Sequence, residues 1–235
     1  MANLLEIKEV TKYYGSLRVF ENISFAVRQK EIFGFLGLNG AGKTTLIKCI
    51  VKLLAPSAGA ISYKEKPLTN NEIYRYFGYL PESFIPPREF SGREFLRILA
   101  VSLSVASVKA DSLLEQVKLD PHKRIRNYSR GMIQRLGLAT ALLKDPECII
   151  LDEPTLGLDP VSQVAILSLL TDLNRQGKTI LFSSHNLFHM EKICHRIGLL
   201  HEGRMKFVGT VEEINGAYRT RSLEEAFLKE VTAHA

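Results

Sequence analysis

One short stretch limits this chain more than any other: Glu31-Ile-Phe-Gly-Phe-Leu36 runs straight into Gly37-Leu-Asn-Gly-Ala-Gly-Lys-Thr44 and then into a helical pattern. A brief apolar run without alternation marks a strand buried on both faces, as in a parallel sheet. An α/β fold is expected. The glycine-rich segment fits G-x-x-x-x-G-K-[ST], and it lies between a buried strand and a helix expected from Lys43 to about Leu54, the context that the pattern requires. Gly37, Gly40 and Gly42 let the backbone turn tightly and aim successive N–H groups inward, where the helix N-terminus adds partial positive charge. Such a loop holds phosphate. Lys43 is expected to reach β and γ phosphates and Thr44 to place its hydroxyl on Mg²⁺. Asn39, Gly40, Ala41, Gly42 and Thr45 complete the cradle. A plain strand-to-helix turn with an exposed lysine is the competing reading, and the complete pattern in context disfavours it.

A second apolar strand, Cys148-Ile-Ile-Leu151, ends in Asp152-Glu153, where a parallel sheet presents its ligand crevice. Asp152 is expected to hold Mg²⁺ directly or through water, and Glu153 to orient or deprotonate an attacking water. Alone, such a pair is more often a solvated strand end. The phosphate loop upstream reverses that reading.

The rest of the chain supplies the frame. Apolar and polar residues alternate from Leu4 to Val27 around Tyr13-Tyr14-Gly15, the pattern of an antiparallel pair with one wet face. Pro56-Ser-Ala-Gly59 is expected to stop the first helix, and short strands follow near Ala60 to Tyr63 and Tyr76 to Leu80. From about Ser83 to Leu143 helix signals take over. Ser91-Gly-Arg-Glu94 fits a capping box, with Phe95, Leu96, Leu99 and Leu103 behind it at helical spacing. Further helices are expected at Ser112 to Val117 and Gly131 to Leu143. Strand and helix then alternate again: helix Val161 to Arg175, strand Thr179 to Ser183, helix Leu187 to His195, and a strand pair around Gly203. The expectation is one domain over residues 1–235, with an α/β core (1–82 and 144–235) interrupted by a helical subdomain (83–143).

Composition narrows the setting. The longest apolar run without a formal charge, Ile98 to Val108, is about half of the ~20 residues that a spanning helix needs. Met1 to Val10 reads as alternating strand and lacks the layout of a secretory signal. Cys49, Cys148 and Cys194 lie far apart without metal or disulfide spacing, which suits a reducing cytosol. The net charge of +6 is scattered, with no long basic block, so no nucleic-acid partner is expected.

Four further segments carry a family resemblance. Tyr128-Ser-Arg-Gly-Met132 with Gln134-Arg135 resembles the signature segment of ABC cassettes, usually Leu-Ser-Gly-Gly-Gln. Leu158-Asp159 after Glu153-Pro154-Thr155 looks like the D-loop, Ser184-His185 like the switch-histidine loop, and Gly78-Tyr-Leu-Pro-Glu82 sits at the Q-loop position. The order and spacing are similar to those of an ABC transporter ATP-binding subunit across Leu4 to about Gly209. The resemblance implies a P-loop NTPase (RecA-like) core with an antiparallel β subdomain and an inserted α-helical subdomain. It also implies ATP hydrolysis and a head-to-tail dimer with a second copy or a paralogous ATPase subunit. Each nucleotide would lie between one subunit's phosphate loop and the other's Ser129, Gly131 and Asp159.

Local chemistry offers plainer roles beside these. Ser129 also suits a helix N-cap, and Asp159 before Pro160 is a cap with proline at the first helical position. His185 is placed to contact the γ phosphate and orient Glu153. His185 and His189 are spaced like a metal pair, but lack the glutamate of H-E-x-x-H. Tyr14 lies where cassettes place an aromatic against adenine, with Tyr13 either exchanging that role or filling the core. Two departures stand out: Glu82 replaces a usual glutamine, adding charge beside Asp152 and Glu153, and Arg130 replaces a glycine, facing either phosphate or solvent. Glu82, the Tyr128-Ser-Arg-Gly-Met132 form of the signature and the ending Ser222 to Leu228 resemble the branch that pairs with separately encoded ABC-2-type permeases. That implies a cytoplasmic protein docked peripherally on a transmembrane permease through residues near Ser83 to Phe90.

Overall fold

The computed structural model describes residues 2–68, 73 and 75–232. Strands β1 (Asn3–Tyr14) and β2 (Leu17–Arg28) form the expected antiparallel pair, and Met1 lies outside the described residues. With β4 (Ala58–Tyr63) and β5 (Lys66–Pro67) they make a four-stranded antiparallel sheet, ordered β2-β1-β4-β5. The second sheet contains β3 (Ile32–Leu36), β6 (Phe77–Leu80), β7 (Cys148–Leu151), β8 (Thr179–Ser184), β9 (Arg196–His201) and β10 (Arg204–Gly209) in the order β10-β9-β3-β8-β7-β6. Apart from the antiparallel β9–β10 pair, its neighbouring strands run parallel. The C-terminal ends of β3, β8, β7 and β6 therefore open along one edge.

The period of two in these strands divides the interior into two cores. Along β3, Phe33 and Phe35 face one cluster, while Ile32 and Leu36 face the other. Phe33 stacks on Phe25 of β2 at 5.3 Å between ring centroids, tying the antiparallel sheet to the central one. Helix α1 (Lys43–Ile50) buries Leu46, Ile47 and Ile50 in this same core. It ends at Ile50, well before Leu54, because Lys52 adopts a left-handed backbone with φ 55°. Glycine usually marks that position, so nothing in the local sequence signals the stop.

The other face carries helices. Helices α2 (Gly92–Ser102), α3 (Val108–Gln116) and α4 (Arg130–Leu142) contribute Leu96, Leu114 and Leu136 to a cluster shared with Ile149 and Leu151 of β7. The capping box is formed: Glu94 N–H donates to Ser91 Oγ at 3.2 Å, and Ser91 N–H to Glu94 Oε2 at 2.7 Å. Helix α3 starts four residues before Ser112. Its first turn lacks a side-chain cap and is held by i→i+3 bonds such as Ala110 N–H to Ser107 O, which leave no sequence signature.

Helix α5 (Pro160–Arg175) is followed by α6 (Leu187–Ile193), which stops two residues short of His195. His195 is drawn to the sheet instead: its N–H donates to Ile32 O, and its Nδ1 accepts from Ile32 N–H at 2.9 Å. Helices α7 (Val211–Tyr218) and α8 (Leu223–Thr232) lie beyond the elements that the sequence pattern leads one to expect. The capping box at Thr210 and Glu213 is the signal that marks α7. Among the described residues, no helix is long and apolar enough to cross a membrane.

Candidate active site

The loop after β3 opens the site. Gly40 and Gly42 take φ of 82° and 101°, conformations that suit glycine. Gly37 is required for a different reason, since a Cβ there would collide with the carbonyl oxygen of Leu200 on β9. Gly42 is the N-cap of α1 and no side chain caps that end, which leaves the first-turn amides available to an anion. Buried Lys43 turns back on the loop, donating from Nζ to Gly37 O at 2.7 Å and Leu38 O at 3.2 Å. Its ammonium also lies 3.3 Å from Glu153 Oε1.

The acidic strand end lies two strands away, reached through β8. Asp152 is fully buried, with its N–H donating to Leu80 O on β6. Ser183 of β8 bridges the pair, donating from Oγ to Asp152 Oδ1 at 2.7 Å and accepting from Glu153 N–H at 2.9 Å. Asp152 Oδ2 is buried without a hydrogen-bond partner. An unpaired buried carboxylate oxygen is costly, and a cation would relieve that cost. His185 Nδ1, in the loop after β8, meets Glu153 Oε2 at 3.1 Å. Glu153 thus stands between an ammonium and an imidazole.

A cavity of about 330 Å³ joins these parts, lined by Gly40, Gly42, Lys43, Thr44, Thr45, Glu82 and Glu153 together with Asn39, Val19, Leu38 and Leu156. Glu82 is exposed at its rim, just beyond β6. Glu82 and Glu153 bring negative charge to the cavity beside Lys43, and Asp152 is buried next in sequence to Glu153. The field extends to Tyr79 of β6: burial first, then Asp152 and Glu82, push its hydroxyl up to about 12.

The other expected residues gather elsewhere. Ser129 caps α4, accepting from Met132 N–H at 3.3 Å. Gly131 packs so closely on Ser162 of α5 that a Cβ would not fit. Asp159 caps α5 and accepts from Ser162 N–H and Oγ, at 2.9 and 2.6 Å, which hold its carboxyl below the usual range. Arg130 is exposed, with its Nη1 3.5 Å from Gly157 O and its guanidinium over that glycine. Ser129, Gly131 and Asp159 are not among the residues lining the phosphate-loop cavity. Ser129 and Asp159 are exposed at the starts of α4 and α5, and Gly131 is buried where these helices meet.

Tyr13 and Tyr14 are both exposed at the β1–β2 turn, so Tyr13 does not fill the core. Its hydroxyl lies 3.4 Å from Glu21 Oε1, while Lys12 Nζ sits 5.1 Å from the Tyr14 ring centroid. Val19 lines the cavity instead. Sequence reasoning misses Val19, and also Ser183, whose only signal is a hydroxyl at the end of an apolar strand. It also assigns no catalytic part to His189, which is buried with Nδ1 3.2 Å from Thr155 Oγ1.

The comparisons with known proteins agree with this geometry. A family model described as ABC transporter matches residues 20–156. A second, described as AAA domain, putative AbiEii toxin, Type IV TA system, matches the shorter stretch 123–191. An uncharacterized ABC transporter ATP-binding protein of Nostoc sp. is 40% identical over 205 residues, spanning 84% of this chain and 61% of the relative. The chain therefore corresponds to less than two thirds of that relative's length. Bacitracin transport ATP-binding protein BcrA of Enterococcus faecalis is 39% identical, over 92% of this chain and 70% of BcrA. A solved ATP-binding subunit of an ABC transporter superposes with TM-score 0.84 at 32% identity, covering 96% of this chain and 98% of that one. A dimeric bacterial ABC transporter cassette shares the fold, with TM-score 0.78 at 24% identity over 88% of this chain and 98% of the cassette. With a family model matched over more than half of its length, and a phosphate loop and acidic strand end meeting on one sheet edge, this chain belongs to the ABC transporter ATP-binding family.

Proposed function

We propose that the chain binds ATP with Mg²⁺, hydrolyses it at Glu153, and passes the resulting motion to a separate membrane permease. The observation that carries this reading is the setting of the Glu153 carboxylate, held between Lys43 and His185 beside the unpartnered Asp152 Oδ2. Thr44, Glu82 and Asp152 are the residues to hold Mg²⁺. Bound there, the ion supplies neutralisation of phosphate charge.

The chain's own groups do the rest. Amides of Asn39, Gly40, Ala41, Gly42 and Thr45 receive the phosphates, and Lys43 exchanges the carbonyls of Gly37 and Leu38 for phosphate oxygens. Losing Lys43 frees Glu153 Oε1 to accept a proton from water. His185 holds the other carboxylate oxygen through Nδ1 and leaves Nε2 to meet the γ phosphate. Tyr14, at the tip of the first hairpin, offers a ring to adenine.

Ser129, Gly131 and Asp159 serve the nucleotide of a second cassette, either another copy or a paralogous subunit, bound head to tail. Their separation from the phosphate-loop cavity supports that role, because one chain leaves half of the site unbuilt. The permease contact falls near Ser83 to Phe90. There Ile85 is 84% exposed, between the buried Pro86 and a Phe84 packed over Gly137. Glu82 and the Tyr-Ser-Arg-Gly-Met signature favour an ABC-2-type permease, which places the protein at the cytoplasmic face of the membrane.

In Glu153→Gln, steady-state hydrolysis should fall about a hundredfold or more, the range for losing a general base. ATP binding should persist and dimer accumulate in gel filtration. Undiminished turnover would overturn the assignment. Recovery of a polytopic partner from detergent-solubilised membranes separates a transporter subunit from a soluble cassette ATPase.

A further inference from the structure

Two histidines four residues apart contact the loop after β7. His185 Nδ1 reaches Glu153 Oε2 at 3.1 Å, and His189 Nδ1 reaches Thr155 Oγ1 at 3.2 Å. The second contact is the more enclosed, with His189 4% and Thr155 3% exposed. Burial, helped by His185 and Lys192 and opposed by Glu153, holds the His189 pKa below its usual value, which favours the neutral imidazole. A neutral ring offers one donor and one acceptor, and a threonine hydroxyl can complement either.

Thr155 is more than a neighbour of Glu153. Its carbonyl accepts from Leu158 N–H at 3.3 Å and from Gln163 Nε2 at 3.5 Å, which shapes the turn leading to Asp159. His189 N–H donates to Asn186 Oδ1 at 3.2 Å, which ties this residue to the start of α6. The Thr155–His189 bond therefore joins the loop bearing Glu153 and Asp159 to the helix that follows His185.

We propose that His189 is a positioning residue for hydrolysis: by gripping Thr155 it sets the distance between α6 and the loop after β7 at which His185 meets Glu153. The inference rests on the proposed hydrolysis at Glu153. A displacement of about 1 Å at such a contact is enough to slow a positioned reaction strongly.

The test uses the full chain and compares His189→Leu, Thr155→Val, their double variant, His189→Asn and Thr155→Ser, with Glu153→Gln in parallel. His189→Leu and Thr155→Val should each lower kcat about tenfold while KM and binding of ATP stay within about twofold. The double variant should be no slower than the slower single one. His189→Asn, which keeps a polar atom near the Nδ1 position, and Thr155→Ser should each recover most of the rate. Unchanged kcat, multiplicative losses in the double variant, or a matching loss of ATP binding would overturn the proposal. Should His189→Leu fail to fold, the contrast between Thr155→Val and Thr155→Ser decides by the same criteria. If Glu153→Gln hydrolyses normally, the underlying reading fails; if only the His189 and Thr155 variants depart from expectation, this inference alone fails.

Discussion

Glu153 occupies a left-handed backbone conformation, φ 48°, that side-chain-bearing residues rarely adopt. That turn lets its N–H reach Ser183 while its carboxylate lies between Lys43 and His185. The groups most legible in the sequence are those whose chemistry sits inside one contiguous motif: Lys43, Thr44, Asp152 and Glu153. Ser183, Thr155 and His189 are not legible as site residues, because they become neighbours only when β8 and α6 pack beside β7. His189 also predicts a pH effect on stability. Its folded pKa lies below the usual 6.5, so the unfolded chain binds the extra proton first and stability falls as pH drops below about 6.5. Burial sets this balance first; of the surrounding groups, His185 and Lys192 disfavour the proton, Glu153 favours it, and Thr155 is uncharged. Melting temperature should therefore decline from about pH 7.5 to about 5.5 less steeply in His189→Asn than in the parent.

At the scale of elements, the types are read well from sequence and the ends poorly. The buried strands and the capped helix α2 announce themselves through apolar runs and the Ser91–Glu94 pair. The end of α1 depends on Lys52 accepting a glycine-like conformation, and that of α6 on His195 bonding to β3. Both are tertiary choices. The phosphate loop makes a sharper case, since Gly37 faces the backbone of β9, an element far along the chain. Gly37→Ala should force that strand and the loop apart, costing about 1–3 kcal/mol in urea unfolding, the usual penalty for overpacking. Gly216→Ala, where a Cβ meets open space, is the control.

For the whole molecule, the edge that gathers the ends of β3, β8, β7 and β6 carries the phosphate loop and the Asp152–Glu153 pair, while Ile85 is exposed beyond β6. Ile85→Asp should reduce co-purification of the membrane partner about tenfold or more while leaving circular dichroism and ATP binding by the isolated chain unchanged; full recovery of the partner would remove this loop from the docking surface. The alternation along β3 has a different consequence. Because Phe33 and Phe35 belong to one core and Ile32 and Leu36 to the other, only a single layer of backbone separates two populations of side chains. A substitution at Phe33 or Phe35 is therefore felt by the hairpin and α1, and one at Ile32 or Leu36 by the helices on the opposite face.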